Sequence, residues 1–168
     1  MRRTGFTLAE VLIVLLVLSI SVLAIIPLTG TDELTDVRAA AELLASDIEE
    51  TQARNLATPD APTCLIPNSA NDGWHLALAD VPDQPIPSAS GTPHERRFGT
   101  GALATASTLR MSIPDLPSDG LRFDDQGAPL LNGAPIQFTI EGTQTGHRAH
   151  VTLSAATGRV SIALAGVE

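Results

Sequence analysis

The chain contains no lysine and no tyrosine, and it has a single cysteine, Cys64. Without lysine, all ten positive charges are arginines, set against 19 Asp and Glu for a net charge of −9. An acidic balance of this kind repels phosphate backbones and argues against nucleic-acid binding. One cysteine permits no internal disulfide. Aromatic residues amount to four Phe and one Trp, so the core has to be built mainly from aliphatic side chains. No glycine-rich phosphate loop, nucleophile elbow or paired-acid constellation occurs, which points to a protein that is no enzyme and needs no cofactor. At 168 residues there is room for one domain with a moderate core and a segment or two outside it.

Charge is also missing from one continuous stretch. Residues 11–31 carry none, and VLIVLLVLSISVLAII within it is almost wholly apolar. A buried core helix would alternate apolar and polar faces, whereas this run is apolar all round. A membrane span needs about 20 apolar residues, and residues 8–28 supply that length except at Glu10. An ordinary secretory signal peptide is the competing reading, with Arg2 and Arg3 as its basic region and Val22, Leu23 and Ala24 as its cleavage site. Glu10 discriminates between the two. A carboxylate at the edge of an apolar helix costs on the order of 2–3 kcal/mol and needs compensation. Cleavage between Gly5 and Phe6 would create an α-amino group about one helical turn before Glu10, on this chain or a neighbour, able to neutralise it.

These residues carry a family resemblance. GFTLAEVLIVLLVLSIS resembles the N-terminal signature of type IV prepilins and type II secretion pseudopilins: a short basic leader, then Gly-Phe-Thr-Leu-x-Glu and an apolar helix. The resemblance implies cleavage after Gly5 by a membrane prepilin peptidase, N-methylation of Phe6, and a filament-assembly role for Glu10. Pro27 falls where many pilins have a helix-kinking proline. Arg2 and Arg3 before the span, with Asp32, Glu33 and Asp36 after it, place the N-terminus in the cytoplasm and the rest in the periplasm.

Residues 34–57 show helical spacing at Val37, Ala41, Leu44, Ile48 and Leu56, with Ala40 and Ala45 beside them. Arg38, Glu42, Asp47, Glu49 and Glu50 form the expected polar back, and Thr31 or Asp32 the expected cap. The apolar stripe is expected to pack on the domain's own sheet. Beyond Pro59 the pattern turns to strands, expected at 63–66, 73–79, 108–113, 121–124, 135–141, 149–154 and 159–164, with hairpin turns at Asp124-Asp-Gln-Gly127 and Ala156-Thr-Gly158. Residues 80–107, rich in Pro, Ser, Ala and Gly, read as a long mobile excursion.

GLRFDDQGAP, PIQFTIEG and AHVTLSAATGRVSIAL resemble the C-terminal part of H-type minor pseudopilins and FimT-like minor pilins, through Gly120, Phe123, Gly127 and Thr157-Gly158-Arg159-Val160. The expected fold is α+β and pilin-like: a long N-terminal helix, membrane-spanning in its first half and amphipathic in its second, packed on an antiparallel sheet domain. The expected divisions are a leader at 1–5, a transmembrane and filament-core helix at 6–28, an amphipathic helix at 29–58 and a periplasmic β-rich domain at 59–168. The partners implied are other pseudopilins, major and minor, through the N-terminal helix, together with the prepilin peptidase and the inner-membrane secretion platform. No metal is expected: His147 and His150 would point to opposite strand faces, His75 and His94 lie in no ligand pattern, and Asp124 and Asp125 read as turn formers. Cys64 reads as a small buried hydrophobe and Trp74 as packing between sheet and helix.

Overall fold

The computed structural model describes residue 8 and residues 11–17, 32–131 and 133–166. Two compact units are present, Met1–Asp32 and Glu33–Glu168. In the first, Leu8 and residues 11–17 are helical, and Val11, Leu12, Ile13, Val14, Leu15, Leu16 and Val17 are all exposed. Seven successive residues cover nearly two helical turns, so this helix is apolar on every side. Among the described residues, no helix is long and apolar enough to cross a membrane.

The second unit is α+β. Helix α1 (Glu33–Ala57) is followed by β1 (Thr63–Pro67), β2 (Gly73–Leu78), β3 (Val81–Pro85), β4 (Glu95–Arg97), β5 (Leu109–Ser112), β6 (Ile136–Gly142), β7 (Arg148–Leu153) and β8 (Val160–Ala165). Two four-stranded antiparallel sheets result. One has the order β1-β2-β3, with β4 also on β2, and the other runs β5-β6-β7-β8. The alternation that predicted the second sheet is the alternation of its faces. Met111, Ile140 and Ala149 line up across β5, β6 and β7, as do Phe138 and Val151, and Ile136 and Leu153, all buried.

On α1, Val37, Ala40, Ala41, Leu44 and Ile48 are fully buried in one core with Trp74, Leu76, Phe138 and Val151. Two helix expectations need correction. Leu56 is 51% exposed, and Asp47, assigned to the polar back, is only 2% exposed. Beside Ile48 the inward face runs on at four-residue steps from Asp47 through Thr51 to Asn55, so it turns from apolar to polar without leaving the interior. Each of these has a partner: the Thr51 hydroxyl donates to the Asp47 carbonyl, and Asn55 exchanges two hydrogen bonds with the Thr63 backbone at 2.6 and 2.9 Å.

Residues 80–107 are not a bare excursion. They contribute β3, β4 and a 3-10 turn at Gly101–Leu103, and they bury Ile86, His94, Phe98, Leu103 and Ala106. Phe98 packs edge-on to Trp74 with ring centroids 6.0 Å apart. The expected strand at 121–124 is instead a pair of isolated bridges, Leu65 with Leu121 and Phe123 with Pro129. Both expected hairpin turns are present, and both meet the helix. Gly127 (φ +79°) and Gly158 (φ +64°) adopt the left-handed conformation, and Gln52 Nε2 donates to the Gly127 carbonyl at 2.6 Å. A Cβ on Gly158 would lie 2.5 Å from that same Gln52 nitrogen, so glycine is required there on steric as well as conformational grounds.

Candidate functional site

Gly5, Phe6, Glu10 and Pro27, on which the processing and assembly reading rests, lie outside the described residues. Helical apolar residues are described on either side of Glu10, at Leu8 and at 11–17. The geometry that the structure does place is in the second unit, where two buried acids on α1 gather chemistry-bearing side chains.

Asp47 is the more deeply committed of the two. Its Oδ2 accepts from Trp74 Nε1 at 2.8 Å and from Arg96 Nε at 3.1 Å, and its Oδ1 lies 3.1 Å from His94 Nε2. A buried carboxylate costs several kcal/mol unless paired, and here three side chains from β2 and residues 94–96 share it. His94 is itself buried, and its other ring nitrogen faces Glu50 Oε1 at 3.8 Å. Among the described residues, Asp47, Glu50 and His94 form the one group of metal-ligand type, with one ligand atom from each within 4.8 Å of the others. Their chemistry points away from a cation. Arg96 already pairs with Asp47, and Arg54 with Glu50 at 2.8 Å, so two guanidinium groups balance the two carboxylates. The cluster is a hydrogen-bonded tie between α1 and the 80–107 segment. The adjoining cavity of about 450 Å³ is lined by Ser88, Thr92, His94, Arg96, Arg97 and Leu103. Its arginines are spent on Asp47, on Asp72 at 3.6 Å and on Glu95 at 3.1 Å.

Glu33, the first residue of α1, makes the second tie. Its carboxylate accepts from the Thr145 amide at 2.7 Å and the Thr145 hydroxyl, the Gln144 amide at 3.1 Å and the Thr108 hydroxyl at 2.9 Å. Burial alone would raise its pKa, but hydrogen bonds from Thr145, Gln144 and Thr108 to the ionised form outweigh that and lower it from 4.5 to about 2. Asp36, one turn on, accepts from the Thr105 hydroxyl at 2.6 Å.

The remaining sequence-selected residues fall in structural roles. Cys64 is buried, its thiol 3.5 Å from the Ala77 carbonyl, and burial pushes its pKa up. His75 bridges Asn68 and the Pro82 carbonyl, and His150 lies 3.2 Å from the Thr139 hydroxyl. Asp124 Oδ1 accepts from the amides of Gln126 and Ala128, which closes the turn expected there. Sequence reasoning missed Asp47 and Glu33 as organising residues. The four-residue steps from Asp47 to Asn55 were the available signal for the first.

Two outcomes are expected from these ties. Asp47→Ala, which leaves His94, Arg96 and the Trp74 N–H without their shared acceptor, should cost about 3–5 kcal/mol of stability. Urea unfolding followed by fluorescence of Trp74, the single tryptophan, measures it. For Glu33 the folded pKa lies below the ordinary value, so its stabilisation is full above about 4.5 and is lost as pH falls toward about 2. The stability gap between the native chain and Glu33→Gln should therefore be widest near neutrality and close over that window; a gap independent of pH would refute the clamp.

Residues 1–26 match the family model described as the prokaryotic N-terminal methylation motif. No curated protein and no solved structure matches the chain. The motif brings with it processing by a prepilin peptidase and assembly with other pilin-like subunits, and pilins and pseudopilins share it. Over its first 26 residues the chain therefore carries the N-terminal methylation motif of a type IV pilin-like protein.

Proposed function

We propose that the chain is a minor pseudopilin of the H type, a subunit of the short periplasmic filament that drives folded proteins out through a type II secretion system. The observation that carries this reading is the methylation motif over residues 1–26. It is joined here to an α+β domain whose C-terminal glycines, Gly127 and Gly158, converge on one helix residue, Gln52. On this reading the leader is residues 1–5, the scissile bond is Gly5–Phe6, and Phe6 receives the methyl group. Residues 6–28 lie in the inner membrane before assembly and in the filament core after it, with the domain in the periplasm. Glu10 offsets the α-amino charge of a neighbouring Phe6, and Pro27 relieves the helix of one backbone hydrogen bond. The partners are major and minor pseudopilins, the prepilin peptidase and the inner-membrane platform. The chain is a substrate of processing chemistry and performs none of its own.

A minor pilin of a type IV pilus is the second reading, favoured by the same motif. Within either system, a role in DNA uptake fits poorly with an acidic chain that has no lysine and no positive charge after Arg159.

Processing is the direct test. Co-expression with a prepilin peptidase should yield a mature chain that begins at Phe6 and carries one added methyl group, read by N-terminal sequencing and intact mass. Glu10→Ala should be cut normally yet fail to co-purify with the major subunit. A mature N-terminus near Ala24 would instead identify a secretory signal peptide and overturn the reading.

A further inference from the structure

The edges of the two sheets are treated very differently. β3 carries Pro82 and Pro85, and its register with β2 shifts between Ala77 and Leu78. β4 is three charged residues, Glu95-Arg96-Arg97. The outer side of β1 is occupied at Leu65, which exchanges hydrogen bonds of 2.9 and 3.0 Å with Leu121. β5 is four residues long and holds Arg110. Proline, charge, brevity and covering are the ordinary devices that keep a strand edge from pairing with another chain. β8 has none of them. It is a six-residue terminal strand of its sheet, with no proline and no charge from Val160 to Ala165.

Its side chains are as open as its backbone. Val160, Ile162 and Leu164 pair with the buried Leu153, Val151 and Ala149, so they extend the core rows of β6 and β7 along the face that α1 covers. Yet Ile162 is 39% and Leu164 46% exposed. The Ser154 amide donates to the Arg159 carbonyl. That bond sets the alternation of the hairpin: Ser161, Ala163 and Ala165 turn their polar backbone groups toward β7, and Val160, Ile162 and Leu164 turn theirs outward.

We propose that β8 is a self-pairing edge, taken by the β8 strand of a second copy of this chain in antiparallel register. Three observations select that occupant. Antiparallel pairing of identical strands sets Ile162 and Leu164 against the same residues, continuing the apolar rows, while Ser161 and Ala163 are small enough to leave the opposite face unobstructed. β8 is uncharged, so two copies with a net charge of −9 each meet there without opposing acids on the paired strands. No other strand edge among the described residues offers a matching bare partner. The contact is about six residues a side, well short of the roughly 1,200–2,000 Å² typical of stable interfaces, so the pair is weak in free solution and, resting here on the membrane-anchored reading proposed above, needs co-anchoring in one membrane to populate.

The test uses the full, uncleaved chain in liposomes at low surface density, so it does not depend on processing or on which secretion or pilus system is served. Ala163→Cys is treated with a short bis-maleimide, with Leu130→Cys, exposed at 56%, as the collision control and the native chain as control for the buried Cys64. Dimer formation should be roughly tenfold faster for Ala163→Cys than for Leu130→Cys, because co-anchoring serves both cysteines alike and a paired β8 additionally holds the two introduced thiols together. It should be lost when Leu164→Lys or Ile162→Pro is added, the second removing an outward amide that the fold itself does not use. Trp74 emission confirms that each variant remains folded. Equal crosslinking at the two cysteines overturns the proposal, as does a dimer that persists in folded Leu164→Lys and Ile162→Pro chains. Capture of a different protein in place of a dimer, in native membranes, also overturns it by assigning the edge to another partner.

Discussion

A carboxylate buried in the middle of a helix imposes the strictest demand in this molecule. Asp47 is almost without solvent, and its negative charge has to be met by donors that no neighbour on the helix provides. They come from 27, 47 and 49 residues downstream, as Trp74, His94 and Arg96. Meeting that demand forces the chain after β2 to return across the helix. It thereby explains why a Pro- and Ser-rich segment with few apolar residues acquires strands, a helical turn and buried side chains of its own. Phe98 then packs edge-on against Trp74, and Leu103 is buried in the same core.

The same logic recurs along α1, which binds each layer with a different polar group. Glu33 holds the β6–β7 turn and the approach to β5, Asp36 holds Thr105, Gln52 holds the Gly127 turn, and Asn55 holds the start of β1. Between them the apolar face of Val37 to Ile48 supplies the non-directional burial. Burial alone would let a helix slide or rotate on a smooth sheet. Directional bonds at both ends and the middle fix its register, each carrying a penalty if left unmade. The helix is accordingly a spine to which both sheets are fastened separately.

Legibility in the sequence followed the range of the interaction. Period-two alternation in Ile136, Phe138 and Ile140, and again in Val151, Leu153 and Ile162, depends only on near neighbours, and the strands of the second sheet lie where it indicates. Turn chemistry at Asp124 and Gly158 is equally local. Asp47 was misplaced on the outer face because hydrophobicity is a poor guide to a residue whose burial is justified by distant donors. Leu56 was misplaced in the opposite sense: the buried face of the last turn runs through Thr51 and Asn55, and Leu56 lies one residue, about 100°, further round the helix. The order in residues 80–107 was illegible for the same reason as Asp47, since nothing within that segment announces the acceptor it folds around.

The N-terminal motif stood out because its chemistry is compressed into a few consecutive residues. On the proposed reading a peptidase cuts the Gly5–Phe6 bond, a methyl group goes to the amine so exposed, and Glu10, four residues on in the sequence, offsets that charge. Glu33–Glu168 has its own core and its own ties. The helix at residues 11–17, apolar on every side, has no directional group like those that fasten α1. On the proposed reading such a segment draws its specificity from the charge of Glu10, whereas the domain draws its own from many bonds within itself. The two halves are thus specified by different physics, one addressed to other chains and one to its own interior.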